Sequence, residues 1–356
     1  MESIARIVAR LMVRARGANV AAKPPRTSPP AIQGTLIHMT RVLAVLALWL
    51  AAATAPALPA HAFPDRPITL IVPFAAGGGT DITARTVGKF LERAFAQPVV
   101  VQNRTGAGGE IGMAAVADAR PDGYTIGIIN TPGVVTIPIE RRARFALDSF
   151  DFIAGVVEDP ASIIVLERSP IRSIADLIAA ARREPGGITL GSAGIGSSGH
   201  IAMLLLEQAA GVSFTNVPFS GTSVAVTNML GGQIAGTTSN IGEAFAMTAG
   251  QPVRILGVMA ARRMDFAPEL PTFAEAGYAI EAGSIRSFGA PRGLAPDVLA
   301  RYEAAFAGLM RDAEFLEDAR RTTQPLNFRP RAELVAALRE SDRIHRELWA
   351  RKPWNQ

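Results

Sequence analysis

From residue 63 onward, short apolar runs recur, and each is followed by a stretch of Gly, Ser or Thr and then by apolar residues at helical spacing. Residues 68–73 predict a first strand, 77–80 a glycine loop, and 81–94 a helix with Val87, Phe90, Leu91 and Ala94 on its inner face. A second strand is predicted over 99–101, a glycine-rich stretch over 103–109, a helix through Ala119 and a third strand over 124–129. The same order returns later in the chain. A strand over 188–190 leads through 191–199 into a helix with Ile201, Leu204 and Leu205 on one face. A strand over 214–218 leads through 219–223 into a helix closed by Gly231 and Gly232. A strand over 234–237 leads through Ser239 and Asn240 into a short helix ending at Gly250. Residues 296–311 and 331–349 read as surface helices.

Strands alternating with helices predict an α/β protein with mostly parallel sheets. The character of the chain changes near 161–170 and 284–291. Two lobes are therefore expected, residues 63–163 with 285–356 and residues 164–284, joined by a double-crossover hinge with a cleft between them. The length of 356 residues agrees, since it exceeds one ordinary core.

The formal charge of +5 invites a nucleic-acid reading, but its distribution does not. Residues 1–62 carry seven basic residues and one acid, which leaves 29 basic against 30 acidic residues in the remainder. No basic footprint for a polyanion is left there, and no nucleic-acid partner is expected. The chain has no cysteine, which excludes a disulfide scaffold and cysteine catalysis.

The amino-terminal excess of charge has its own explanation. Arg41 precedes an uncharged apolar run over 42–55, and Ala60-His61-Ala62 follows. These are the three parts of a secretory signal, so 39–62 reads as a signal peptide cleaved after Ala62, with a periplasmic destination. The run is short for a membrane span of about 20 residues. Met39 makes a better start than Met1, and 1–38 reads as a non-native upstream extension.

In open parallel sheets, ligands bind beyond the carboxyl ends of the strands. Here those ends carry 77–81, 191–199, 219–223 and Ser239-Asn240, all small and polar, with no Arg or Lys. Small residues let backbone N–H groups approach a ligand, and helix N-termini favour anions. Each loop also has a plainer reading, with Thr80, Ser197, Ser223 and Asn240 as helix N-caps. Asp81 fits either a helix N-terminus or a ligand donor.

Two further motifs fail on inspection. Gly106-Ala-Gly108-Gly109-Glu-Ile-Gly112 lacks the spacing of a dinucleotide fingerprint. Ser198 and His200 suggest a hydrolase, but no G-x-S-x-G surrounds the serines. His200 reads more readily as a helix-start residue bonded to its own loop. Outside the leader only His200 and His345 remain, so a metal site is not expected.

These residues resemble a known family. Phe63-Pro-Asp-Arg-Pro-Ile68, Val72-Pro-Phe-Ala-Ala-Gly-Gly-Gly-Thr-Asp81, Asn103-Arg-Thr-Gly-Ala-Gly-Gly-Glu-Ile-Gly112 and Pro121-Asp-Gly-Tyr-Thr125 are similar to stretches of the Bug-type receptors of tripartite tricarboxylate transporters. So are 191–200, Val217-Pro-Phe-Ser-Gly221, Leu230-Gly-Gly-Gln233 and Leu270-Pro-Thr-Phe-Ala-Glu-Ala-Gly277. The resemblance implies a periplasmic binding protein fold of the second type that closes around a small organic carboxylate, with no cofactor and no catalysis. It implies delivery to a permease of one large and one small integral subunit, and a monomeric receptor. Carried over by position, the first-lobe contacts are Phe74, Ala75, Ala76, Gly77, Gly78 and Asp81. The second-lobe contacts are Ser192, Gly194, Ser197, Ser198, His200, Ser220, Gly221 and Asn240.

The chain departs from the family's pattern at Ser220, where lysine is usual, and at Asn228, where aspartate is common. Its Arg286-Ser-Phe-Gly289 stretch lacks a frequent tryptophan. Two alternatives stand beside uptake: a ligand-sensing partner of a membrane sensor kinase, and a secreted serine hydrolase using Ser198 and His200.

Overall fold

A computed structural model describes residues 63–351 together with 353 and 354, so the expected signal peptide and upstream extension lie outside the described residues. The first strand, β1 (Ile68–Val72), is almost wholly buried and pairs in parallel with β2 (Val99–Asn103) and β3 (Thr125–Asn130). Burial on both faces is why its sequence reads as a run of apolar residues rather than an alternation. Helix α1 (Gly79–Phe95) crosses back over this sheet. Its buried stripe runs through Thr80, Thr83, Ala84, Val87 and Leu91. The expected face was turned too far. Phe90 is only half-buried, edge-on to Phe315, and Ala94 is exposed, because a later helix covers only that margin of α1.

Strand β4 (Phe150–Leu166) decides the architecture. Its 17 residues are long enough to belong to both halves of the protein. Residues 150–160 pair antiparallel with β9 (Gly283–Pro291), which also pairs with β3. Residues 161–166 pair antiparallel with β7 (Gly236–Asn240) and β8 (Val253–Met259). β7 continues in parallel to β5 (Thr189–Ser192), and β5 to β6 (Thr215–Pro218). A last strand, β10 (Leu326–Pro330), returns to pair with the first half of β4. The strands that carry the loops are parallel, as expected, and the centre is antiparallel because β4 goes out and β9 comes back.

Two hydrophobic cores flank this crossing. One gathers Leu70, Leu91, Ile128, Phe288, Tyr302 and Phe306; the other gathers Ile163, Val165, Leu177, Leu190, Leu206 and Phe273. The fold is the two-lobed periplasmic binding protein fold. Among the described residues no helix is long and apolar enough to cross a membrane.

Candidate functional site

The carboxyl ends of β1, β3, β5 and β7 converge between the two cores, where the loops of the two lobes touch. Ala75 N donates to Ser220 O at 3.3 Å, and Ser223 Oγ to Ala76 O at 3.0 Å. Thr136 Oγ1 donates to Gly196 O at 2.7 Å. The glycine motif that failed as a nucleotide loop is used here. Gly108 has φ +68°, and a Cβ there would run into the carbonyl oxygen of Ile195. A Cβ on Gly194 would lie 2.7 Å from Gly108 Cα. Two glycine loops thus meet backbone to backbone, which only residues without Cβ allow.

Behind these contacts lies a cavity of about 30 Å³, room for one or two water molecules. Phe74, Gly78, Ser197, Ser198 and Asn240 line it, as does Thr80. The remaining expected contacts stand around it. Ala75, Ala76, Ser220 and Gly221 form the seam between the loops; a Cβ on Gly221 would lie 2.8 Å from Ala75 N.

Asp81 and Gly77 hold the first loop in shape. Asp81 accepts from Gly77 N at 2.9 Å, from Asn103 Nδ2 at 2.9 Å and from Arg85 Nε at 2.9 Å. Burial pushes its pKa up, but the Arg85, Gly77 and Asn103 donors outweigh this and hold it below the usual carboxylate range. Asn103 also donates to Phe74 O at 3.0 Å, so one carboxylate fixes both ends of the loop.

Ser192 Oγ donates to Asn216 Oδ1 at 2.7 Å, and Gly194 O accepts from Ser197 Oγ at 2.6 Å. His200 Nδ1 accepts from Gly196 N at 3.1 Å, so the ring is neutral and bonded to its own loop. Burial lowers its pKa to about 4. Ser198 Oγ donates to Asn240 Oδ1 at 3.0 Å. The serine and histidine of the hydrolase reading are thus engaged elsewhere, not with each other.

Sequence reasoning passed over the charged part of the site. Arg286 on β9 lines the cavity, 2% exposed, with Nη2 2.8 Å from Oδ2 of Asp159, which is fully buried on β4. Asp159 Oδ1 accepts from Gly242 N at 2.8 Å, at the start of α7 (Ile241–Thr248). Burial, with nearby Glu243 adding to it, holds the Asp159 pKa above its usual value against the Arg286 charge and the Gly242 N–H. Because each oxygen accepts from an N–H, the bonding fits the carboxylate form. Glu243, one residue further on, reaches across to accept from Gly79 N at 2.8 Å with Oε1. Its Oε2 lies 3.3 Å from Asn240 N.

Asn130, at the end of β3, donates to Thr80 Oγ1 at 3.1 Å. The rule that located the other loops would have found it, had the third strand been read one residue longer. Asn130 Oδ1 and Arg286 Nε are buried without a partner. Thr131, Gly133, Ala193, Thr222 and Ser284 complete the lining. Among the described residues no cluster of side chains could hold a metal ion.

The two-lobed fold agrees with the solved structures this chain is similar to. Residues 83–324 match the family described as tripartite tricarboxylate transporter family receptor. A Pseudomonas protein from the tcbD-tcbE intergenic region is 38% identical over 67% of this chain and 72% of its own. The periplasmic binding protein BugD superposes with a TM-score of 0.76 at 31% identity, over 81% of this chain and 98% of its own. An R. palustris protein solved with adipate superposes with a TM-score of 0.76 at 27% identity, over 81% and 97%. The chain belongs to the tripartite tricarboxylate transporter receptor family, as a Bug-type solute-binding protein.

Proposed function

We propose that this protein captures a small organic carboxylate between its lobes in the periplasm and delivers it to a tripartite tricarboxylate-type membrane permease. The observation that carries this reading is Arg286. A guanidinium buried in the cleft, its Nη2 held by Asp159 and its Nε–H unsatisfied, asks for a further acceptor, which a ligand carboxylate supplies. Phe74, Gly78, Ser197, Ser198 and Asn240 would complete the enclosure, with Asp81 and His200 holding the loops that present them. The family and the adipate-bound neighbour support the same ligand chemistry.

On this reading residues 39–62 direct export, and residues 63–163 with 285–356 and residues 164–284 close as two bodies about β4 and β9. The cavity is too small for an organic acid as it stands, so binding requires the lobes to part and close again.

Thermal melting with a panel of mono-, di- and tricarboxylates tests the reading. A ligand present at 100 times its Kd should add about 2.7 kcal/mol to stability. An unchanged melting temperature across the panel would remove the carboxylate claim.

A further inference from the structure

The cavity already contains a carboxylate of the protein's own. Glu243, 6% exposed, holds Gly79 N at the amino-terminal end of α1, where the helix dipole favours negative charge. Asp159 places a second buried carboxylate against Arg286. Arg286 is the one cationic side chain among the residues lining the cavity. Arg286 is thus paired to one buried carboxylate, and another, Glu243, lines the same cavity. A dicarboxylate entering this site would add two negative charges beside Glu243, where the only guanidinium of the lining is already paired to Asp159 and little water screens them.

Two unpartnered groups show what the site still lacks. Arg286 Nε needs an acceptor, and the Asn130 amide has an atom without a partner. Asn130 bonds to the hydroxyls of Thr80 and Ser284, which can each donate or accept. Its amide can therefore turn to receive either a hydroxyl or a carbonyl.

Resting on the carboxylate-receptor reading, we propose that this protein selects organic acids with a single carboxylate and an uncharged hydrogen-bonding group. Glu243 then occupies the place of a second ligand carboxylate and determines specificity. The ligand's carboxylate meets Arg286 Nε, and its uncharged end meets Asn130.

Calorimetric titration with adipate and its monoamide adipamate, and with succinate and succinamate, tests this on the wild-type protein and Glu243→Gln. The glutamine keeps an oxygen for Gly79 N–H and removes the charge. The wild type should bind at least one monoamide tenfold or more tightly than its diacid. In Glu243→Gln that preference should shrink at least tenfold. Diacid affinity equal to or above that of the monoamides in the wild type overturns the proposal and leaves the carboxylate reading standing. An unchanged ratio in folded Glu243→Gln removes Glu243 as the determinant, and with it the proposal. The wild-type ratio decides even if the variant fails to fold. If none of the four acids binds, the site does not read these carboxylates, and this proposal falls with the broader one.

Discussion

Gly79 and Glu243 stand 164 residues apart in the chain, and the N–H of the first donates to the carboxylate of the second at 2.8 Å. The contact joins a helix of one lobe to a helix of the other. A hydrogen bond to a charged group contributes about 1.5–3 kcal/mol. Glu243 thus favours lobe contact even without ligand. Small-angle scattering should show a larger radius of gyration for ligand-free Glu243→Ala than for the ligand-free wild type. Identical profiles would show that Glu243 does not hold the lobes.

Gly108 governs how closely the lobes approach. Alanine there is strained at φ +68° and sets its Cβ against the Ile195 carbonyl. Gly108→Ala should weaken ligand binding at least tenfold and lower the unfolding free energy of the ligand-free protein by about 1–2 kcal/mol. Undiminished affinity in calorimetry would mean that the two glycine loops do not meet in the bound state.

The Arg286–Asp159 pair should be costly to break from one side. Arg286→Met leaves a fully buried carboxylate without its charge partner and should destabilise by about 3–5 kcal/mol. Adding Asp159→Asn should recover most of that loss, because the uncompensated charge disappears with it. Urea unfolding of the single and double variants measures the coupling. Additive losses would argue against it.

His200 makes the second lobe sensitive to acid. Its folded pKa of about 4 lies below the ordinary value of 6.5. The unfolded chain therefore takes up the proton first. Stability is complete above pH 6.5 and is lost as pH falls towards 4, by roughly 3 kcal/mol across that window. Geometry agrees, since a protonated Nδ1 could no longer accept from Gly196 N–H. Melting temperatures from pH 7 to 4 should fall more steeply in the wild type than in His200→Asn, which retains an acceptor and does not titrate. Parallel curves would count against this role.

Ala96 ends α1 in the left-handed region at φ 50°, exposed to solvent. Ala96→Gly should stabilise the protein by about 1 kcal/mol by relieving the Cβ clash. Chemical denaturation with an unchanged slope would show it.

The sequence by itself determined most of the elements and the loops that carry the seam. Continuous apolar runs mark strands buried on both faces, and that pattern is local. So is the placing of Ser197 and Asn240 as N-caps, because caps are set by neighbouring residues; Thr80 and Ser223, read the same way, instead lie in the first turn of helices whose N-caps are Gly78 and Gly221. Helix faces were less secure: Ile201 is buried, but Leu204 and Leu205 are only half-buried beside Trp354. Which side of a helix is covered depends on distant chain.

The charged centre was decided only by tertiary structure. Asp159 and Arg286 sit in strands whose residues alternate between faces, and a charge there reads as one turned to solvent. They meet across 127 residues because β4 and β9 pair where the chain passes between lobes. Glu243 looks like an ordinary first-turn acid of its own helix, and nothing in its neighbourhood announces Gly79. Local chemistry encodes backbone shape, whereas burial of a charge is a property of what the fold stacks above it.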